Sequence, residues 1–170
     1  MRFRYIQLAS AVLALTLSLS CSRPNGTPPS KSSTKPSQAS KHAGAHDLSA
    51  DEAKGGHTLR KHVGRSDNDL RDRLRRESNI SAASTYTDRR AAEDFIGECL
   101  AEQQGRVVQW TNGERHPNLV LDCTGDPAWP IGRSLRRGSS QVEPCSNATL
   151  VLKFDPPEGY YVLTSYPDCR

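Results

Sequence analysis

The sequence predicts an α+β fold, with helices first and an antiparallel sheet second, in one small domain. Apolar residues recur at helical spacing across residues 48–100, whereas strand-like runs separated by turn residues fill the chain after Asn118. A length of 170 residues, only 35% of them hydrophobic, leaves room for one modest domain plus tails and excludes a two-domain enzyme.

The domain is preceded by two segments of different character. Residues 1–21 begin with Arg2 and Arg4, continue as an almost unbroken apolar run from Ala9 to Leu19 and end in small residues, the pattern of an export signal. That run falls short of the roughly 20 apolar residues needed to span a bilayer. Cleavage before Cys21 would give a lipoprotein with an acylated cysteine, although Ser18 stands where such signals carry Leu; Ser18-Leu19-Ser20 also suits an ordinary signal peptidase, which would release a soluble protein. Residues 22–46, rich in Ser, Pro and Lys, predict a disordered tether. The formal charge of +4 belongs to these tails: residues 1–46 hold six Lys/Arg and no acid, leaving 17 basic against 19 acidic side chains in the domain, residues 47–170. Nucleic-acid binding must therefore rest on local clusters.

Order is expected from Leu48, with Ser49 and Glu52 spaced as a capping box. Gly55-Gly56 interrupts that helix, and a second helical stretch, HTLRKHV, is stopped by Gly64. Ser66 is placed to cap DNDLRDRLRR, in which Leu70 and Leu74 point inward at i, i+4 and Arg73 falls beside their seam. NISAASTYT reads as extended. Thr87 can cap a helix whose Ala92, Phe95, Ile96, Cys99 and Leu100 form a 3.6-residue stripe ending near Gly105, RVVQW is an apolar element of either type, and Asn112-Gly113 marks a turn. The strands are NLVLDC, IGRSLRR, ATLVLKF and YYVLTSYP.

The last two strands flank DPPEG, and a hairpin symmetric about Pro157 sets Cys145 opposite Cys169. Opposed residues come within disulfide reach, which predicts a Cys145–Cys169 bridge and, by elimination, Cys99–Cys123. An even set of four domain cysteines suits an exported protein and leaves Cys21 as the odd one, favouring acylation. Strict alternation places Tyr160, Val162, Thr164 and Tyr166 on one strand face. Cysteine spacing offers no zinc site, and neither a metal nor a cofactor is expected.

Arg60, Lys61, Arg65, Arg71, Arg73, Arg75 and Arg76 crowd residues 60–76 against Asp67, Asp69 and Asp72. The cluster reads as a phosphate site or as a solvated face of mixed charge. His57 and His62 lie beside it. On one helix their five-residue separation, about 500°, would keep them off a common face.

Several motifs in one order, SADEAKGGHTLRKHVG, DLRDRL, NISAASTYTD, NLVLD, IGRSLRRG and YYVLTSYP, resemble the bacterial RNase A-like toxin domain at the C-terminus of contact-dependent growth inhibition proteins. The resemblance spans about residues 47–167. It implies a pancreatic-ribonuclease-like fold, metal-independent RNA cleavage and a catalytic set of His62, Arg73, Thr164 and Tyr166.

Those residue types suit the chemistry. RNA carries its own nucleophile, so imidazole can take the 2′-hydroxyl proton while guanidinium and hydroxyl donors stabilise charge developing on the phosphate. The leaving oxygen would draw its proton from Tyr166 or a water. His57 is kept as a substrate-binding or structural residue, and Arg60, Lys61 and Arg65 as substrate-binding groups.

Two functions compete at this stage. One is an exported, monomeric ribonuclease toxin that takes RNA as substrate, has a cognate immunity protein and touches the membrane through lipid on Cys21 at the cell envelope. The other is a non-catalytic envelope module binding RNA, another polymer or a protein.

Overall fold

The computed structural model describes residues 44–169. The expected signal, Cys21 and all but the end of the tether lie outside those residues.

Three short helices open the domain. α1 (Leu48–Ala53) is capped by Asp47, whose side chain accepts from the Ser49 amide at 2.9 Å. Ser49 is therefore not the cap, because burying Leu48 pulls the helix start two residues earlier. Glu52 caps the next helix instead, its carboxylate accepting from the Leu59 amide at 2.9 Å and from Arg60 at 2.7 Å. α2 (Thr58–His62) ends at Gly64, which adopts a left-handed φ of 64°. α3 (Asp67–Arg76) carries the expected Ser66 cap, with Asp69 completing a capping box. Its Leu70 and Leu74 pack with Ala83 and Leu135.

The sheet is two three-stranded antiparallel sheets. β1 (Ala82–Tyr86), β3 (Gly132–Arg136) and β4 (Val142–Cys145) form one in the order β1-β3-β4; β2 (Leu119–Cys123), β5 (Asn147–Asp155) and β6 (Gly159–Asp168) form the other in the order β2-β5-β6. β4 had no counterpart in the sequence reading, since it contains Pro144. As an edge strand it tolerates the missing donor.

Between β1 and β2, α4 (Arg89–Glu102) is capped by Asp88, which accepts from the Ala91 amide at 2.8 Å, rather than by Thr87, whose hydroxyl donates to the Ile131 carbonyl. RVVQW is helical, within α5 (Gln104–Thr111). Ile96 and Val107 of these helices meet Leu121, Leu150, Leu152 and Val162 in the main core. Each such aliphatic side chain, fully buried, contributes about 1.5–3 kcal/mol.

Both expected disulfides are present, Cys99–Cys123 and Cys145–Cys169. The hairpin register near the turn is the expected one, Phe154 facing Tyr160 and Leu152 facing Val162, but a bulge beyond Leu152 shifts it by one so that Val151 faces Thr164. This corrects the predicted alternation: Val162 turns into the core, whereas Thr164 and Tyr166 turn out of it.

The bulged stretch of β6 is a sheet edge, and α1 and α2 occupy it. The Val162 amide donates to Asp51 Oδ1 at 3.0 Å, the His57 amide to the Leu163 carbonyl at 3.0 Å, and the Ser165 amide to Thr58 Oγ1 at 2.9 Å. These bonds satisfy ladder groups that would otherwise be unpaired. Gly56 is required in this docking, since a Cβ there would lie 2.7 Å from the Val162 carbonyl oxygen. α2 is thereby latched against the strand that bears Thr164 and Tyr166.

Candidate active site

Where α2 and α3 meet the two sheets, a cavity of about 610 Å³ opens, a size ordinary for a ligand site. Its wall on β1 and β3 is one strand face: Ala82 pairs with Arg136 and Ser84 with Ser134, and all four line it. β6 contributes Thr164, Tyr166 and Asp168 by alternation beyond the bulge. His57, His62 and Arg73 close the opposite side.

His62 is only 6% exposed. Its Nδ1 lies 3.3 Å from the Ser84 carbonyl, and because a carbonyl only accepts, Nδ1 carries the proton and Nε2 keeps the lone pair. Arg73 Nη1 lies 3.5 Å from that Nε2. Burial, and then the neighbouring guanidinium, push the His62 pKa down to about 3, so the ring is neutral in the free protein. Arg73 is steered by Glu77, which accepts from its Nε at 3.2 Å.

The Tyr166 ring stands 5.5 Å from that of His62. Thr164 Oγ1 is buried and, among the described residues, has no hydrogen-bond partner. A buried hydroxyl left this way costs about 1–3 kcal/mol unless a ligand or a water bonds to it.

The structure thus brings His62, Arg73, Thr164 and Tyr166 round one cavity. His57 joins them, its ring 6.4 Å from that of His62. The expectation that the two histidines diverge fails because His57 is the N-cap of α2, with φ −149° and ψ 21°, and so escapes the helical repeat. Burial, with help from Lys61 and Arg60, also lowers the His57 pKa.

Arg60, Lys61 and Arg65 are not in the lining. Arg60 is bound by Glu52, and the Arg65 guanidinium bonds to the Arg60 carbonyl. Arg60 and Lys61 belong to α2 and Arg65 to the segment that follows it, and all three stand outside this lining. Arg136 stands in the lining instead. Sequence reasoning missed it, although its two-residue offset from Ser134 on a strand was a usable signal. Asp168 is the one carboxylate in a lining that otherwise holds two histidines and two arginines.

A family model described as "Bacterial CdiA-CT RNAse A domain" matches residues 56–167. Among solved structures, the chain is similar to one titled as the CdiA-CT/CdiI complex from Y. kristensenii 33638, with 32% sequence identity, a TM-score of 0.60, and coverage of 66% of this chain and 99% of that one. No curated protein matches significantly.

Proposed function

The chain belongs to the bacterial CdiA-CT RNase A domain family of ribonuclease toxins, and from that premise we propose that it cleaves RNA without a metal, by transesterification to a 2′,3′-cyclic phosphate. His62 Nε2 takes the proton of the 2′-hydroxyl. The 2′-oxygen then forms a bond to phosphorus as the bond from phosphorus to the 5′-oxygen breaks. A proton from Tyr166 or from water completes the leaving hydroxyl. The neutral resting ring of His62 has a lone pair to accept the first proton and no extra proton to supply as the second.

Arg73 and the Thr164 hydroxyl hold the non-bridging oxygens as negative charge grows there. The phosphodiester brings its own negative charge beside guanidinium and imidazole, which offsets the repulsion from Arg73 and raises the basicity of His62 when substrate is bound. His57 and Arg136 line the path of the strand.

The observation that carries this reading is the buried, unpartnered Thr164 hydroxyl on a residue that lines one cavity with Tyr166, His62 and Arg73. The similar solved structure is a complex with CdiI. By that likeness a dedicated protein partner, the expected immunity protein, binds this domain too. Delivery out of the producing cell fits the family, and acylation at Cys21 belongs to the same proposal.

RNA digestion in excess EDTA with analysis of product ends tests the mechanism. Cyclic-phosphate and 5′-hydroxyl ends that persist in chelator are expected. Loss of cleavage in EDTA, or 5′-phosphate ends, would refute it.

A further inference from the structure

Next to the cavity, a second concavity of about 240 Å³ lies between α3 and the end of β3. Leu74 and Leu135 form its floor. Its rim carries Arg71, Arg75, Arg136 and Arg137, and its lining contains no carboxylate. Arg136 lines both concavities and is the side chain they share.

Two of these charges are held by neutral partners. Arg137 donates to the Ile80 carbonyl at 3.0 Å and the Glu77 carbonyl at 2.7 Å, and Arg71 donates to Asn68 Oδ1 at 3.1 Å. Arg75 pairs with Asp72, and Arg136 with Glu143 at 3.4 Å, but both are exposed pairs that bind weakly in water and exchange for a better anion. Cations near the C-terminal end of α3 complement the helix dipole, which accounts for Arg75 and for Arg137, bonded to the Glu77 carbonyl there. Arg136 belongs to a strand end, where no dipole calls for it.

We propose that this second concavity is a phosphate subsite, binding a backbone phosphate of the RNA strand that flanks the linkage being cleaved, with Arg136 handing the strand from one concavity to the other. The proposal rests on the ribonuclease reading above. An RNA strand carries one anion per nucleotide, and a planar guanidinium binds phosphate through paired donors, so a group of arginines that shares Arg136 with the cavity positions the chain without reading its bases.

The test uses the full chain and its Arg71→Gln/Arg75→Gln variant, which leaves the cavity lining intact. Cleavage of a dinucleotide, too short to reach the subsite, is expected to be unchanged. With a longer single-stranded RNA, KM is expected to rise about tenfold at constant kcat, and the slope of log affinity for a non-cleavable oligodeoxynucleotide against log salt to fall by about 0.7 per lost phosphate contact. Arg71→Lys/Arg75→Lys should recover most of the affinity. Equal losses on both substrates, or an unchanged KM and salt slope on the longer strand, would overturn the subsite and leave the patch to a protein partner. If the parent chain cleaves neither RNA yet binds the oligodeoxynucleotide through Arg71 and Arg75, the ribonuclease reading fails while the subsite stands.

Discussion

Arg73 Nη1 lies 3.4 Å from Nδ1 and 3.5 Å from Nε2 of His62, so an always-charged guanidinium faces an imidazole that can remain beside it only while neutral. Two cations at that distance repel, and burial of the ring removes the water that would screen them. The ring is therefore neutral at ordinary pH, the form the proposed base requires. An anion bound beside both groups would relieve that repulsion.

This arrangement separates two pH profiles. The acidic limb of kcat/KM reports the free enzyme and is expected well below pH 6.5, whereas the limb of kcat reports the substrate complex and is expected at higher pH, because the phosphate favours the imidazolium. Removing the guanidinium with Arg73→Gln should raise the His62 pKa, though not to an ordinary value, since burial is the larger cause. Imidazole NMR titration reads that change directly. Coincident limbs, or a His62 pKa untouched by the substitution, would contradict the proposed roles.

The same depressed pKa makes folding pH-dependent. An unfolded chain protonates His62 near pH 6.5, the folded protein only near pH 3, so the unfolded state binds the extra proton in between. Stability is then complete above about pH 6.5 and declines as the pH falls toward 3, by on the order of 4 kcal/mol in all. Urea melts of His62→Gln should show a shallower loss between pH 7 and pH 4 than the parent chain, by about 3 kcal/mol. Parallel curves for the two proteins would remove His62 as the titrating group.

Thr164 offers a contrast between stability and activity. Thr164→Val replaces an unpartnered buried hydroxyl with a methyl group of similar shape, so the melting temperature should hold or rise. If the hydroxyl binds a phosphate oxygen in the transition state, kcat/KM should fall by about 10²-fold. A variant that loses stability while keeping full activity would show that the hydroxyl serves the fold.

Local signals in the sequence survive folding where one interaction decides the outcome. The Ser66 cap and the Leu70/Leu74 pair were legible because capping and burial agree there. Helix starts at Asp47 and Asp88 were misread by one or two residues, since neighbouring side chains could serve equally and tertiary burial chose between them. His62, Arg73, Thr164 and Tyr166 could be grouped only through family resemblance. What places them, the bulge beyond Leu152 and the bonds from α1 and α2 to the edge of β6, joins residues about a hundred positions apart and leaves no local trace. Arg136 escaped notice because charge clustering drew attention to residues 60–76, whereas the cavity takes one arginine from that stretch and another from β3.

The two disulfides allow a clean separation of stability from site geometry. Both close loops of the same sequence separation, 24, so the loop-entropy model assigns each about 3.5 kcal/mol. Their surroundings differ. Cys99–Cys123 ties α4 to β2, whereas Cys169 lines the cavity, its carbonyl accepts from Arg136 at 3.4 Å, and it follows Tyr166 by three residues. Cys99→Ala/Cys123→Ala should therefore lower stability with kcat/KM preserved at a temperature where the protein stays folded. Cys145→Ala/Cys169→Ala should lower stability by a similar amount and reduce kcat/KM several-fold as well, because the end of β6 and the Arg136 side chain lose their common anchor. Denaturant melts and dinucleotide kinetics on both pairs decide the matter, and equal kinetic losses would mean that the bridge beside the cavity does no more for the site than the distant one.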